Sequence, residues 1–322
     1  MPRRAILVWL GLLVGLVLGV VLGLAAREEQ RGPRGAAPAL EAPWRLATAM
    51  SSRRSYIAAD AIGGSIYVAG GMVGETGRPL DTFQRYDAAE DRWTTLQRLP
   101  VPTRAAAAAA VDGVFYVVGG TTPEGNTRAV WAYHIETGEW SPRAPLPVER
   151  FNHAALAVGG EVWVLGGFEQ GREHDEVFVY DPAADAWREG PPLPRPTHGF
   201  DVVEFRGEIW LIGGLRGEEI LDEVWILDPQ TEEWRAGPRM DEPMELLGAA
   251  VHGDEIHAVW EHVYQVYDAS TGEWRRGPRP IVTRHALSVF AIGDRLYAVG
   301  GCTTALVDSP VVERRPLAPS RS

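Results

Sequence analysis

Short apolar runs, each ending in two glycines, recur along most of the chain. They read SIYVAGG, VFYVVGG, EVWVLGG, EIWLIGG and RLYAVGG, beginning at residues 65, 114, 161, 208 and 295. Each run is rich in β-branched and aromatic side chains and is bounded by turn-forming residues, which is typical of a strand. A run this short buries little surface by itself, so the pattern predicts many short strands packed into a common core.

A tail with an aromatic or leucine residue seven positions before a tryptophan closes most of these units. The tails read YDAAEDRW, YHIETGEW, YDPAADAW, LDPQTEEW and YDASTGEW, with tryptophans at 93, 140, 187, 234 and 274. The first four tryptophans are 47 residues apart, and this period with short strands indicates a radial array of small sheets. One unit cannot bury its own faces, so the copies must pack around an axis.

The double glycine, the tyrosine-aspartate pair and the spaced tryptophan together resemble the kelch repeat over about residues 44–312. The resemblance implies an all-β fold, a six-bladed kelch-type β-propeller with four strands per blade. The last unit, from residue 275, lacks its tryptophan. The segment APWRLATAM, which carries Trp44, is predicted to supply the missing strand, so the N-terminal strand closes the ring and removes exposed edges. Residues 313–322 are predicted to be a disordered tail.

The first 43 residues differ in character from the repeats. Residues 5–26 form an apolar run of 22 residues without a charge, long enough at about 1.5 Å per residue to span a bilayer. We predict residues 1–26 to be a cytoplasmic stub and a transmembrane signal anchor, and residues 27–43 a flexible linker to a propeller outside the cytoplasm. A cleaved signal peptide, which would make the protein secreted, is the alternative. Self-association is a further possibility, because small residues recur on one side of the predicted helix: Gly11, Gly15, Gly19 and Gly23.

Charge, cysteine content and motifs exclude several classes of function. The formal net charge of −12 repels phosphate backbones, so no nucleic-acid partner is expected. Cys302 is the single cysteine, so the chain has neither an intrachain disulfide nor a cysteine-rich metal site. No motif for nucleotide phosphate, zinc-protease or serine-hydrolase chemistry occurs, and we expect no cofactor and no metal.

Polar residues precede the first strand of each predicted blade, at a position that the glycine pairs align. Antiparallel pairing brings these segments and the loops between second and third strands to one face of the propeller. The predicted ligand-binding residues at the mouth of the channel are Arg54, Tyr56, Arg104, Arg150, Asn152, His198, Glu245, Arg284 and His285. Under one interpretation the four arginines form an anion-binding funnel, because guanidinium groups grip carboxylate or phosphate. Under the other, suggested by the kelch resemblance, they hydrogen-bond loop carbonyls.

The fifth unit is shorter than its neighbours. Its tryptophan follows the preceding one by 40 residues, and Trp260 and Glu261 stand where other units have two glycines. We predict a tight hairpin between the second and third strands of blade 5, where the other blades have long loops. The expected result is a notch beside the channel, near His262 and Glu245. It either admits a peptide or glycan sideways or reflects drift in a tolerant blade.

Two classes of function fit these observations. The first is a membrane-tethered, non-catalytic module that binds a protein or carbohydrate through the loops of one propeller face. The second rests on resemblance: a sugar mutarotase or epimerase similar to the kelch-type N-acetylneuraminate epimerase, with Glu245, a histidine and the arginines as base, acid and carboxylate clamp. Galactose oxidase resembles the chain less, because no copper ligand set accompanies Cys302. We therefore expect a binding module rather than an enzyme.

Overall fold

The computed structural model describes residues 43–303 and 307–318, which form strands, turns and loops. Within them, six four-stranded antiparallel sheets form the blades. The first strands of successive blades contact each other in a closed ring around a central channel. The predicted all-β, six-bladed propeller is therefore confirmed.

Blades 1 to 3 share one plan, four main strands with a two-stranded ribbon between the second and third, and they are preceded by β1 (Arg45–Leu46). Blade 1 contains β2 (Ala58–Ile62), β3 (Ser65–Ala69), β4 (Met72–Val73), β5 (Arg78–Pro79), β6 (Phe83–Asp87) and β7 (Arg92–Thr95). Blade 2 contains β8 (Ala107–Val111), β9 (Val114–Val118), β10 (Thr121–Thr122), β11 (Gly125–Asn126), β12 (Val130–His134) and β13 (Glu139–Arg143). Blade 3 contains β14 (Ala154–Val158), β15 (Glu161–Leu165), β16 (Phe168–Glu169), β17 (Arg172–Glu173), β18 (Val177–Asp181) and β19 (Ala186–Glu189).

Blade 4 repeats this plan, whereas blades 5 and 6 depart from it. Blade 4 contains β20 (Asp201–Phe205), β21 (Glu208–Ile212), β22 (Leu215–Arg216), β23 (Glu219–Ile220), β24 (Val224–Asp228) and β25 (Glu233–Ala236). Blade 5 contains β26 (Gly248–His252), β27 (Glu255–Trp260), β28 (Val263–Asp268) and β29 (Glu273–Arg276). Only Glu261 and His262 separate β27 from β28, so the predicted tight hairpin is present. Blade 6 contains β30 (Ser288–Ile292), β31 (Arg295–Val299), β32 (Val312–Pro316) and, as its outer strand, β1.

The glycine pairs lie where one blade meets the backbone of the next. In blade 1, Gly70 and Gly71 have φ values of 59° and 93°, a conformation that favours glycine. A Cβ atom on Gly70 would lie 2.2 Å from the Thr103 carbonyl oxygen of blade 2. The Gly71 N–H donates to that same oxygen at 2.9 Å. The repeated glycines therefore allow a close contact between blades.

The repeated tryptophans connect neighbouring units. In each blade the indole Nε1–H of the outer strand's tryptophan donates to a backbone carbonyl 36 to 45 residues earlier, or, for Trp44, 234 residues later. The pairs are Trp93 with Thr48, Trp140 with Gln97, Trp187 with Ala144, Trp234 with Pro191, Trp274 with Pro238 and Trp44 with Pro278. Trp44 thus completes in blade 6 the pattern that the last unit lacked in sequence.

The ring closes as predicted, but the propeller extends further than expected. Strand β1 pairs with β32, with Arg45 opposite Arg314 and Leu46 opposite Glu313. Strand β32 also pairs with β31 along its whole length, and Leu317 beyond it is 8% exposed. The prediction of a disordered tail from residue 313 is therefore wrong for residues 313–318. This segment lacks the repeat's tail signature because β1 supplies the tryptophan.

The predicted membrane anchor and linker, residues 1–42, lie outside the described residues, as do the four glycines proposed for self-association. Within the described part of the chain no helix has the length and apolar character needed to cross a bilayer.

Candidate functional site

Six residues, one from each blade, surround the channel just before the first strands. Each has a positive φ between 45° and 64°. Each backbone N–H donates to the carbonyl of the equivalent residue in the preceding blade, at N···O distances of 2.6 to 3.3 Å, and the bond from Tyr56 to Ala286 closes the circle. This collar consists of Tyr56, Ala105, Asn152, Gly199, Leu246 and Ala286. It joins the six blades through backbone groups alone, whatever side chains the residues carry.

Three predicted arginines lie inside the blades. Arg54, Arg150 and Arg284 come two residues before the collar and are each at most 1% exposed. In each, Nη1 donates to two backbone carbonyls: Gly70 and Thr82 for Arg54, Gly166 and Glu176 for Arg150, and Gly300 and Val311 for Arg284. This corrects the predicted funnel, because guanidinium groups enclosed by the blade and bonded to carbonyls are not presented at the mouth. It is the arrangement expected under the second interpretation.

The surroundings of these arginines differ from blade to blade. Arg54 Nη2 donates to Gln84 Oε1 at 2.6 Å, and Arg284 Nη2 donates to Glu313 Oε2 at 2.6 Å. The Arg150 guanidinium instead lies over the ring of Phe178, 4.9 Å from its centroid. Burial lowers the pKa of Arg54 and of Arg150 to about 10, so both remain charged at neutral pH.

Tyr56 and Asn152 line a central cavity of about 140 Å³. Most of its other lining residues are alanine, leucine, isoleucine or phenylalanine. Burial raises the pKa of the Tyr56 hydroxyl to about 12, and Cys302 and Glu245 add to the effect, so this hydroxyl remains protonated. Arg104, His198, Glu245 and His285 are not among the lining residues. The cavity therefore lacks the residues that the sequence suggested as acid, base and carboxylate clamp. Its titratable lining residues besides Tyr56 are His153, bonded to the Val118 carbonyl oxygen, and Asp201, bonded to the Ala249 N–H.

The remaining four predicted residues form a rim outside the collar. Arg104, His198, Glu245 and His285 each stand one position before a collar residue, and all four are half-buried. His198 Nδ1 lies 3.4 Å from Glu173 Oε1, and the centroid of its ring lies 4.9 Å from that of Phe168, with the two rings tilted by 45°. His285 Nε2 lies 3.2 Å from the Cys302 Sγ atom.

Burial determines the ionisation of the rim. It lowers the pKa of His198 against the opposing effect of Glu173, and that of His285 against the opposing effect of Glu261. Both imidazoles are therefore neutral at pH 7. Burial also raises the pKa of Glu245, and repulsion from Glu261 adds to this. Glu261, at the tight turn of blade 5, thus influences two of the four rim residues.

Two half-buried aspartates in the inner strands were not predicted. Asp60 Oδ2 accepts from the Ala110 N–H at 2.8 Å, and Asp201 Oδ2 accepts from the Ala249 N–H at 2.7 Å. Each carboxylate thus connects its inner strand to that of the next blade. Burial raises the pKa of Asp60 to about 6 and that of Asp201 to about 7, against the effect of these hydrogen bonds. The signal in the sequence was an aspartate within each of the mostly apolar inner-strand segments AADAI and DVVEF, the second of which also carries Glu204.

In the described ranges no three histidine, cysteine, aspartate or glutamate side chains are arranged to hold a metal ion.

A family model described as the KLHDC2/KLHL20/DRC7 Kelch-repeats domain matches residues 56–259, more than half of the chain. The chain belongs to the kelch-repeat family. The matched range begins at collar residue Tyr56 in blade 1 and ends at Val259 in β27 of blade 5. The collar and rim of the first five blades thus lie within the part of this kelch propeller that the family model covers.

Curated relatives of this kelch propeller match only short segments. Alpha-scruin of Limulus polyphemus is 34% identical over 89 residues, which is 26% of this chain and 10% of scruin. An F-box/kelch-repeat protein of Arabidopsis thaliana is 29% identical over 75 residues, 23% of this chain and 20% of its own length. The chain therefore matches a fifth or less of each of these proteins. The solved structure of YjhT superimposes with a TM-score of 0.72 and 17% identity, covering 82% of this chain and 95% of that one, which shows the shared fold.

Proposed function

We propose that this chain is a membrane-tethered kelch propeller that binds a protein partner through the face formed by the rim and its surrounding loops. The observation that carries the proposal is the division of the polar groups. The rim residues are half-buried outside the cavity, whereas Arg54, Arg150 and Arg284 are enclosed and the cavity lining is mostly apolar. A small substrate needs converging polar groups in an enclosed site, so this face favours a macromolecular partner.

The low wall of blade 5 suggests the chemistry of that partner. Glu245 and Glu261 repel each other enough to raise the pKa of Glu245 further than burial alone. The β27–β28 turn has no ribbon above it, and the neighbouring His262 side chain is 48% exposed. A cationic side chain entering over blade 5 would relieve the repulsion and gain two charge-assisted contacts. We infer that the partner presents a basic segment at this notch.

The enzyme alternative gains no support from this geometry. A mutarotase or epimerase acting on an anionic sugar was expected to use the arginines as a carboxylate clamp, and three of the four are bonded inside the blades. Carbohydrate binding at the rim stays a prediction. Thermal melting against a panel of neutral and acidic sugars tests it, since a bound sugar would raise the melting temperature.

The tether in this proposal rests on the sequence of residues 5–26. With this segment as an uncleaved anchor, we expect the propeller outside the cytoplasm and the protein in the membrane fraction after carbonate washing. Protease added to intact cells should then digest the propeller. Recovery of the chain in the soluble fraction without residues 1–26 would instead identify a cleaved signal peptide.

Site-specific photo-crosslinking tests the proposed binding face. A photoreactive residue would replace Arg104 or His262 on the rim side, and Arg206 would be the control because it lies in the β20–β21 turn at the opposite end of blade 4. We expect the same discrete protein adduct from both rim-side positions and none from position 206. The adduct should weaken when Glu245→Gln and Glu261→Gln are combined. Equal adducts from both ends of the propeller, or none from the rim, would contradict the proposal.

A further inference from the structure

Three arginines converge on one face of blade 6, where the first and last strands meet. Arg45 in β1 is directly opposite Arg314 in β32, and Arg314 is opposite Tyr297 in β31. Arg295 is two residues from Tyr297 on the same strand, so its side chain is on the same face as those of Arg45 and Arg314. We call Arg45, Arg295 and Arg314 the arginine cluster.

The carboxylates around the cluster do not match its charge. Arg314 Nη2 lies 3.1 Å from Asp91 Oδ2. Arg295 Nε lies 3.8 Å from Oδ1 of Asp294, whose side chain is 78% exposed. The other Asp91 oxygen already accepts from Tyr86 and from the Thr48 N–H. In the part of the chain that the structure describes, the Arg45 side chain has neither a hydrogen bond nor an ion pair. Like charges directly opposite in a sheet destabilise it, so this pairing favours an added anion.

The cluster lines a surface pocket at the point where the propeller begins. Pro43, Arg315 and Pro316 complete the lining. The Arg315 side chain is 3% exposed, its guanidinium lies 4.8 Å from the centroid of the Tyr264 ring, and its Nη1 has no hydrogen-bond partner among the described residues. Because Arg315 follows Arg314 directly in β32, its side chain lies on the opposite face of the sheet, against blade 5, and its unsatisfied Nη1 does not face the cluster. The charge of the pocket therefore comes from Arg45, Arg295 and Arg314, of which Arg45 is exposed and unpaired among the described residues.

We propose that this pocket binds a phosphate group. A guanidinium group can donate two hydrogen bonds to two phosphate oxygens. Several guanidinium groups in one pocket suit phosphate better than a carboxylate, because phosphate has more oxygens and more negative charge. The anion would reduce the repulsion between Arg45 and Arg314 and so stabilise the pairing of β1 with β32. A phospholipid headgroup is the expected source, because Pro43 is 17 residues from the apolar run that ends at residue 26, within reach at up to about 3.5 Å per residue.

Two ligands separate the possible sources of phosphate. The full chain in neutral detergent is titrated calorimetrically with inorganic phosphate. In parallel, the chain is placed in nanodiscs of phosphatidylcholine with or without phosphatidylglycerol, and hydrogen exchange is followed in peptides that contain β1 and β32. The test variant combines Arg45→Gln with Arg295→Gln. The control variant combines Arg98→Gln with Arg206→Gln, which removes the same charge from exposed positions elsewhere.

We expect phosphate binding that weakens about fivefold for each removed cluster arginine, with the control variant unchanged. Protection of β1 and β32 by phosphatidylglycerol nanodiscs, lost in the test variant, supports a lipid headgroup as the source. Phosphate binding without this protection supports the site with a soluble phosphate as its occupant. Binding by neither ligand, or an equal loss in both variants, would overturn the proposal.

Discussion

Arg150 in blade 3 and Arg284 in blade 6 occupy the same place in the fold but have different neighbours. Both donate from Nη1 to the first glycine of a pair and to one further carbonyl. Beyond these bonds, Arg150 meets the ring of Phe178, whereas Arg284 meets the fully buried carboxylate of Glu313. The common part of the two environments is the pair of carbonyls. In both blades the arginine therefore satisfies backbone carbonyl oxygens, whereas only Arg284 also has a buried carboxylate as its partner.

Blade 5 fills the same two positions without any charge. Met244 replaces the arginine, and Gln265 replaces Phe178 or Glu313, each three residues before the end of the third strand. Gln265 Oε1 accepts from the Asp241 and Glu242 N–H groups, as Glu313 Oε1 accepts from those of Ile281 and Val282. The carboxylate of blade 6 and the amide of blade 5 thus hold equivalent loops. The methionine and glutamine of blade 5 therefore indicate which residues could replace Arg284 and Glu313 in blade 6.

The largest effect is expected from Arg284→Met alone. Glu313 would then be buried without its ion-pair partner, and breaking a buried pair in this way costs about 3–5 kcal/mol of the free energy of unfolding. Adding Glu313→Gln should recover most of the loss, because blade 5 already combines methionine with glutamine. Urea unfolding followed by tryptophan fluorescence measures both. A double variant no more stable than the single one would show that the Arg284 carbonyl bonds, and not the charge, dominate.

A smaller loss is expected from Arg150→Met. No charged partner is stranded, but two buried carbonyls lose their donor, which costs about 1–3 kcal/mol. The same unfolding experiment compares it with Arg284→Met. Equal destabilisation of the two single variants would show that the carboxylate beside Arg284 does not add to the cost of removing the arginine.

The pH dependence of stability is expected to report Asp201. Its pKa is raised to about 7 in the folded chain from an ordinary value of 3.8, so the folded state binds the proton more tightly than the unfolded state. This contribution to stability is complete below pH 4 and is lost as the pH rises through 7. Between pH 6 and pH 8 the loss is about 1.4 kcal/mol. Asp201→Asn should remove this part of the pH profile, and an unchanged profile would show that Asp201 is ionised throughout.

The smallest effect on stability is expected from Arg104→Gln. This arginine is half-buried on the rim and makes no ion pair among the described residues, so the free energy of unfolding should change by less than about 0.5 kcal/mol. The comparison with Arg150→Met then separates rim arginines from enclosed ones by thermal melting. A loss as large as that of Arg150→Met would place Arg104 with the structural arginines.

The fold could be predicted because its signals are local and repeated. Glycine pairs, tails and the position of Trp44 specified the number of blades, the closure by β1 and the tight hairpin of blade 5. Strand β32 was missed because it carries none of these signals: it reads VERRP, and its partner strand β1 stands about 270 residues earlier.

The candidate site was predicted only in part. Glycine alignment placed Arg54 and Arg104 together in the segments that precede the first strands, but alignment does not give the direction of a side chain. Arg54 lies two residues before its collar residue, and Arg104 lies one residue before its own. The two positions differ by one residue, and in an extended segment this turns one side chain into the blade and the next towards the rim. Glu173 and Glu261 shift the pKa values of rim residues although they lie in other segments of the chain. The repeat pattern does not predict such contacts, because it describes only one unit at a time. The collar itself has no sequence signature, because six different residues make the same backbone bond.

Closure by β1 also imposes an order on biosynthesis. The first strand leaves the ribosome early and has no partner until residues 312–316 appear, about 270 residues later. At about 5–20 residues per second, that interval lasts tens of seconds. During this time Trp44 and the open edge of the nascent array remain unpaired, and a complete ring exists only once residues 312–316 have been synthesised.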